Sequence, residues 1–279
     1  MARQLSTKHL KMYLKGGCLN PLFREIQADP ELSFEIRQQD KVIIYFNKKA
    51  ILTVREGMKF ETLDPGYYSP DADTSWLAVD WTSPKSIRKY FRNAKECAYK
   101  QSRKIEFQMQ QNVALGNRSF NNRFVVVDME WQFSQKEIPI AQRISRTRID
   151  LVLVDTQKNR MGKNDIYLAE LKLGTGATEG KSGMQDHVDK TYEICCCKLA
   201  CEALITDVRS IIEQKYKLGI INGTKQEFDY DETPKMMFIL GYRGDAEREE
   251  LESDESKLRI PGGMERPVFI YHNTLITLA

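Results

Sequence analysis

Asp150, Glu170 and Lys172 are the residues of this 279-residue chain whose types and spacing could carry chemistry together. They fall on two β-rich runs, 148–155 and 165–173, joined by a polar segment, 156–164, that reads as a hairpin loop. A symmetric hairpin has its midpoint near Arg160, which sets residue 150 opposite residue 170. Side chains alternate faces along a strand, so Glu170 and Lys172 project together and Asp150 joins them as a cross-strand partner. The opposite face carries Leu151, Leu153, Ala169, Leu171 and Leu173, apolar enough for a core. Two carboxylates on adjacent strands, helped by a backbone carbonyl, suit a hard divalent cation such as Mg²⁺. Such a cation acidifies water and offsets charge on a phosphate, and a lysine alongside serves the same transition state. The reaction implied is phosphodiester hydrolysis. Glu-x-Lys alone is a weak signal, since it occurs four times, beginning at 170, 179, 213 and 255. Only the first lies on an apolar strand with an acid placed on the strand before it. A solvated sheet face held by charge pairing is the rival reading of the same residues.

The surrounding elements must hold these strands. Ser83-Pro84 opens a long amphipathic helix, 83–113, whose apolar residues Ile87, Phe91, Ala94, Ala98, Ile105 and Met109 recur at helical spacing. A strand over 124–133 precedes the hairpin. After it, Gly174-Thr175-Gly176 leads into a second long helix, 184–215, then a buried strand, 236–240, an acidic helical stretch, 245–255, and a last strand, 268–271. The order is αβββαβ. Upstream, 5–28 reads as two short helices broken at Gly16-Gly17, and the runs 34–37, 42–46 and 50–54 read as an antiparallel meander. Pro65-Gly66, Ser69-Pro70 and Ser83-Pro84 mark 64–84 as a linker or substrate-facing loop; the Asp71 and Asp73 pair beside Trp76 and Trp81 belongs to it structurally. The chain thus divides into a small N-terminal α+β module, 1–82, and an α/β domain, 83–279.

Composition bounds the function. A hydrophobic share of 41%, a charged share of 29% and a net charge of +3 are those of a globular protein with no obligatory polyanionic partner. No apolar run approaches a membrane span and no signal peptide opens the chain, so a cytoplasmic protein away from membranes is expected. Three scattered histidines argue against zinc-hydrolase or triad chemistry. The six cysteines, three of them adjacent at 195–197, read as reduced and mostly buried thiols. Phosphate-cradling loops and nucleophile elbows are absent.

Arg148-Ile149-Asp150-Leu151-Val152-Leu153-Val154, followed by Ile166-Tyr167-Leu168-Ala169-Glu170-Leu171-Lys172-Leu173, resembles the signature of the PD-(D/E)XK nuclease superfamily. The similarity spans about 83–245, with Ile149 standing where the motif has proline. It implies a restriction-endonuclease-like αβββαβ core, with a mixed central sheet flanked by helices, and a metal-dependent endonuclease or related hydrolase acting on DNA rather than RNA. Mg²⁺ or Mn²⁺ would be held by Asp150, Glu170, the backbone carbonyl of Leu171 and Glu106, the last from the first core helix. The resemblance also points to a polar residue on the following helix; Gln185 fits, with His187 and Tyr192 as weaker neighbours. Glu130, on the same strand face as Asp128, is a further candidate ligand. Phosphate contacts fall to Arg143, Arg146 and Arg148, which lead into Asp150, to the helix stripe of Arg88, Arg92 and Lys95 with Lys85 and Lys89 nearby, and to Lys181. A homodimer is the simplest way to cut both strands of a duplex. The rivals are a nucleic-acid-binding or scaffold protein that keeps the fold without catalysis, and an enzyme of the same fold acting on another phosphate ester.

Overall fold

β-rich and helical runs settle into mixed α/β structure in the computed structural model, which describes residues 2–69, 71–101, 105–133, 144–145, 147–175, 178 and 180–273. These divide into two compact units, one of residues 1–121 with 206–225, the other of 122–205 with 226–279. No helix among the described residues is long and apolar enough to cross a membrane.

The first unit begins with α1 (Thr7–Tyr13) and α2 (Asn20–Ala28), the latter with Pro21 in its first turn, where its missing N–H costs nothing. An antiparallel sheet follows in chain order: β1 (Ser33–Arg37), β2 (Lys41–Phe46), β3 (Lys49–Arg55) and β4 (Lys59–Glu61). Asn47 and Lys48 join β2 to β3 with φ of 46° and 65°, the doubly left-handed turn that matches strand twist. β4 escaped the sequence reading because Lys-Phe-Glu is too short and polar to stand out. Two further helices, α3 (Pro84–Gln101) and α4 (Ile105–Gly116), cover the stretch read as one helix; 102–104 lie outside the described residues. α3 packs with the N-terminal elements, since Ile87, Tyr90, Phe91, Ala94 and Ala98 share one core with Tyr13, Phe23, Phe34 and Ile44. The first unit therefore runs past the boundary read near residue 83: a proline-rich loop marks a turn in the path, while burial of the α3 apolar stripe decides which core it joins.

The second unit is a five-stranded mixed sheet in the order β5-β6-β7-β8-β9, formed by Phe124–Trp131, Ile149–Lys158, Asn164–Leu173, Lys235–Tyr242 and Val268–Asn273. The first three strands are antiparallel neighbours; β7–β8 and β8–β9 are parallel. α5 (Met184–Cys196) and α7 (Asp245–Ser256) supply Met184, Val188 and Leu251 to an apolar cluster with Met236, Phe238 and Leu240 of β8. The single helix read over 184–215 is two, α5 and α6 (Lys198–Lys217), parted at Cys197, whose backbone is extended. Cysteine is a weak helix former, and the Cys201 thiol satisfies the Ile194 carbonyl at 3.4 Å, which stabilises the interruption. The cysteines form no disulfide among the described residues, but only Cys201 is buried; Cys18 and Cys196 are exposed, correcting the expectation of mostly buried thiols. Adjacent positions at a helix end point in different directions, so they cannot all turn inward.

Gly174 ends β7 with φ of 68°. A Cβ there would meet Glu247 Oε1 at 2.6 Å, and Glu247 is itself tethered through the Arg243 N–H at 2.6 Å. Gly174→Ala should therefore destabilise the protein by about 1–2 kcal/mol, read as a lowered urea midpoint with unchanged slope. A midpoint equal to the wild type would show that Glu247 swings aside and that the turn tolerates a side chain.

Candidate active site

The β6–β7 register pairs Leu151 with Ala169, Val152 with Leu168 and Leu153 with Tyr167, so the next rung sets Asp150 opposite Glu170, as the hairpin midpoint requires. Past Leu151–Ala169 the ladder changes character. The Leu171 N–H donates to Asp150 Oδ2 at 3.1 Å, so a side chain takes a position that a strand carbonyl would fill. This pins the Asp150 carboxylate beside β7. On β7, Glu170 and Lys172 are in register with Phe238 and Leu240 of β8, whose side chains pack under α5 and α7. Both polar side chains thus sit on a covered sheet face, and Asp150, Glu170 and Lys172 are 6%, 2% and 6% exposed.

Burial on this scale is costly for charge unless partners compensate. Glu170 is the most perturbed. Burial first, then the neighbouring Asp150 carboxylate, raise its carboxyl from 4.5 to about 7; His187 and Lys172 pull the other way. Glu170 Oε1 is buried with no hydrogen-bond partner. Its other oxygen lies 3.2 Å from His187 Nδ1, yet that ring nitrogen is not aligned for a hydrogen bond and counts among the unpartnered atoms, as does Thr191 Oγ1 one helical turn further on. Lys172, within electrostatic reach of Glu170, takes part in no hydrogen bond or ion pair among the described residues. Glu170 Oε1 is thus a buried acceptor without a hydrogen-bond partner among the described residues, beside a lysine on the same strand face.

The register of the neighbouring ladder extends the row. Met129 pairs with Leu151 and Trp131 with Ile149, which places Glu130 opposite Asp150. Glu130 has φ of 57° inside a strand, a strained conformation for a residue with a Cβ. Its buried carboxylate lies 2.6 Å from Arg148 Nε. The Arg148 guanidinium is accordingly drawn onto Glu130 while remaining mostly exposed.

The other sequence candidates are distributed as follows. Gln185 does not face Glu170: its Nε2 donates to the Arg259 carbonyl at 3.0 Å and its Oε1 accepts the Arg259 N–H at 2.9 Å, clamping the segment after α7. His187, two residues along α5 and so on another side of the helix, is the one that meets Glu170. Tyr192 donates to the Gly262 carbonyl at 3.4 Å. Glu106 is half-buried on α4, in the first unit, whereas Asp150 and Glu170 belong to the second. Of the helix stripe, Arg88 pairs with Glu25 at 2.9 Å and Lys95 with Asp29 and Glu31 at 2.7 and 2.6 Å, while Arg92 is exposed. Lys181 is exposed on the turn before α5. Arg143 and Arg146 lie outside the described residues. Thr191 was not foreseen; nothing in a lone helical threonine announces that its hydroxyl will be buried beside a histidine.

No group of three or more His, Cys, Asp or Glu side chains among the described residues is placed to hold a metal ion. The pair Asp150 and Glu170 still fits Mg²⁺ or Mn²⁺, because such ions take one or two carboxylates and complete their shell with water and substrate oxygens, and Glu170 Oε1 is an oxygen without a partner. No protein-family model, curated protein or solved structure matches this chain.

Proposed function

We propose that the second unit is a metal-dependent phosphodiesterase that cleaves nucleic acid, DNA rather than RNA, on a restriction-endonuclease-like core of the PD-(D/E)XK type. The observation that carries this reading is the buried Glu170 carboxylate, with one oxygen lacking a hydrogen-bond partner among the described residues, set beside the buried residues Asp150 and Lys172. Asp150 and Glu170 are the metal-holding residues, with the Leu171 carbonyl as the further oxygen named by the resemblance. Bound there, Mg²⁺ or Mn²⁺ supplies neutralisation of phosphate charge and a more acidic water. Asp150 is kept in place by the Leu171 N–H, so its position costs no reorganisation when substrate arrives. Lys172 presents its ammonium from a rigid strand towards the charge that grows on the scissile phosphate. Its value is high because the surroundings are dry. Arg148, exposed just before β6 and paired with Glu130, is the side chain this reading assigns to a backbone phosphate.

The test is cleavage of labelled DNA and RNA, single- and double-stranded, in Mg²⁺, Mn²⁺ or EDTA, by the wild type, Asp150→Ala and Lys172→Ala. Metal-dependent cutting should fall at least about 10²–10³-fold in each variant. Equal cutting by all three proteins would mean a contaminating nuclease. No cutting, with salt-sensitive binding retained, would replace this reading with a non-catalytic nucleic-acid binder.

A further inference from the structure

We propose that the first unit carries a pocket for a nucleobase bearing an exocyclic amine. The inference rests on that unit alone and does not depend on catalysis by the second. A pocket of about 240 Å³ opens between the end of β2 and α4, lined by Phe46, Asn47, Tyr99, Gln108, Gln111 and Asn112 among others. This lies below the roughly 300–1,000 Å³ of drug-sized sites, a size for one planar ring system. Its lining combines four side-chain amides with two aromatic rings, and Tyr99 is 48% exposed.

Gln111 lines the pocket and is its polar side chain with a buried, unpartnered atom among the described residues. It is 2% exposed, and its Nε2 donates to the Glu31 carbonyl and, at 3.4 Å, to the Tyr45 carbonyl. Two carbonyl partners settle which end of the amide is nitrogen, and Oε1 is left buried without a partner. A buried acceptor lacking a donor is costly, and a ligand N–H removes that cost. Adenine, cytosine and guanine carry an exocyclic amine; thymine and uracil do not. Gln108 and Asn112, less buried, offer the paired donor and acceptor that amide side chains use on base edges. Tyr99 and Phe46 offer ring faces for stacking. Next along the chain from Asn47 and Gln108, Lys48 and Lys49 hold their ammonium groups 5.4 and 5.6 Å from the Phe107 ring centre. That is a cation-and-aromatic arrangement suited to the phosphate of the same nucleotide. The source of the base is a free nucleotide or an unstacked residue of a single strand.

Binding should be measured in EDTA with the full-length protein. The probes are adenosine, cytidine and thymidine monophosphates, fluorescent oligo-dA, oligo-dC and oligo-dT, and an abasic oligomer of equal length. Probes with amine-bearing bases should bind more tightly than thymine or abasic probes. Tyr99→Ala, at an exposed position, should weaken them about tenfold by loss of stacking. Asn112→Ala should narrow the gap between dA and dT. Binding of the monophosphates identifies a nucleotide site, and binding of oligomers alone identifies a strand site; either supports the proposal. The monophosphate arm, compared between the wild type and Tyr99→Ala, separates this pocket from strand binding under the phosphodiesterase reading. Equal affinity for dA, dT and abasic oligomers, unchanged affinity in Tyr99→Ala, or no binding of any probe would each overturn it.

Discussion

Glu170→Gln is expected to keep the fold, to become the more stable protein above pH 7, and to lose its response to divalent metal. The stability half follows from linkage. The folded protein raises the Glu170 carboxyl from 4.5 to about 7, through burial and the Asp150 charge. A raised carboxyl favours folding in its protonated form, so no cost falls on the fold below about pH 4.5. That advantage is lost as pH rises through 7, where the carboxylate must be held in the interior. At 1.36 kcal/mol per pH unit the swing is about 3 kcal/mol. Glutamine has no charge to bury, so the stability difference between variant and wild type should move in favour of the variant between about pH 4.5 and 8. The metal half has the opposite sign. Mn²⁺ at 100 times its dissociation constant should stabilise the wild type by about 2.7 kcal/mol and leave Glu170→Gln unmoved. Urea titrations at pH 4.5, 6 and 8, with and without Mn²⁺, read both. A variant weaker than the wild type at every pH would mean that the Glu170 carboxylate supports the fold. An equal Mn²⁺ shift in both proteins would remove Glu170 from the metal site.

Lys215→Ala is expected to cost about 3–5 kcal/mol, a large part of the 5–15 kcal/mol by which domains are stable. Lys215, at the end of α6, is 2% exposed, and its ammonium lies 2.7 Å from Glu35 Oε2 on β1. Glu35 Oε1 accepts the Ser33 hydroxyl at 2.6 Å, and Ser33 Oγ accepts from Arg118 Nη2 at 2.8 Å. Removing the ammonium leaves the buried carboxylate without its ion-pair partner at 2.7 Å, which is the expensive outcome. Glu35→Gln with Lys215→Met removes both charges and keeps an acceptor for Ser33, so the double variant should recover part of the loss. The recovery stays incomplete because the Arg118 guanidinium, disfavoured by burial, leans on the Glu35 charge. Denaturation midpoints of the single and double variants form the comparison. If the double variant is no better than Lys215→Ala, the pair is a packing element rather than an electrostatic one.

Glu213-Gln214-Lys215 is one of the four Glu-x-Lys triplets, and its lysine is buried in an ion pair, whereas buried Lys172 of Glu170-Leu171-Lys172 forms none among the described residues. Local sequence distinguishes them only through the strand pattern around the latter. That pattern sufficed for the chemistry-bearing register, because alternation along 148–155 and 165–173 and a hairpin between them leave one way to hide the leucines. Strand and helix placement along the second unit was legible for the same reason: local periodicity sets local structure. Tertiary packing decided the rest. It brought His187 rather than Gln185 to Glu170, because which side of α5 meets the sheet depends on how Met184 and Val188 dock on β8. It parted α5 from α6 at Cys197, through a thiol that caps a carbonyl seven residues back. It carried α3 into the first core and closed an amide-lined pocket between β2 and α4, both contacts between residues distant in the chain. It also withdrew water from Glu170 and Lys172, so their charges acquire energies that neither residue has alone. Residue type and period determine which side chains a strand presents together; only the packing of one element on another determines how dry they are and what they touch.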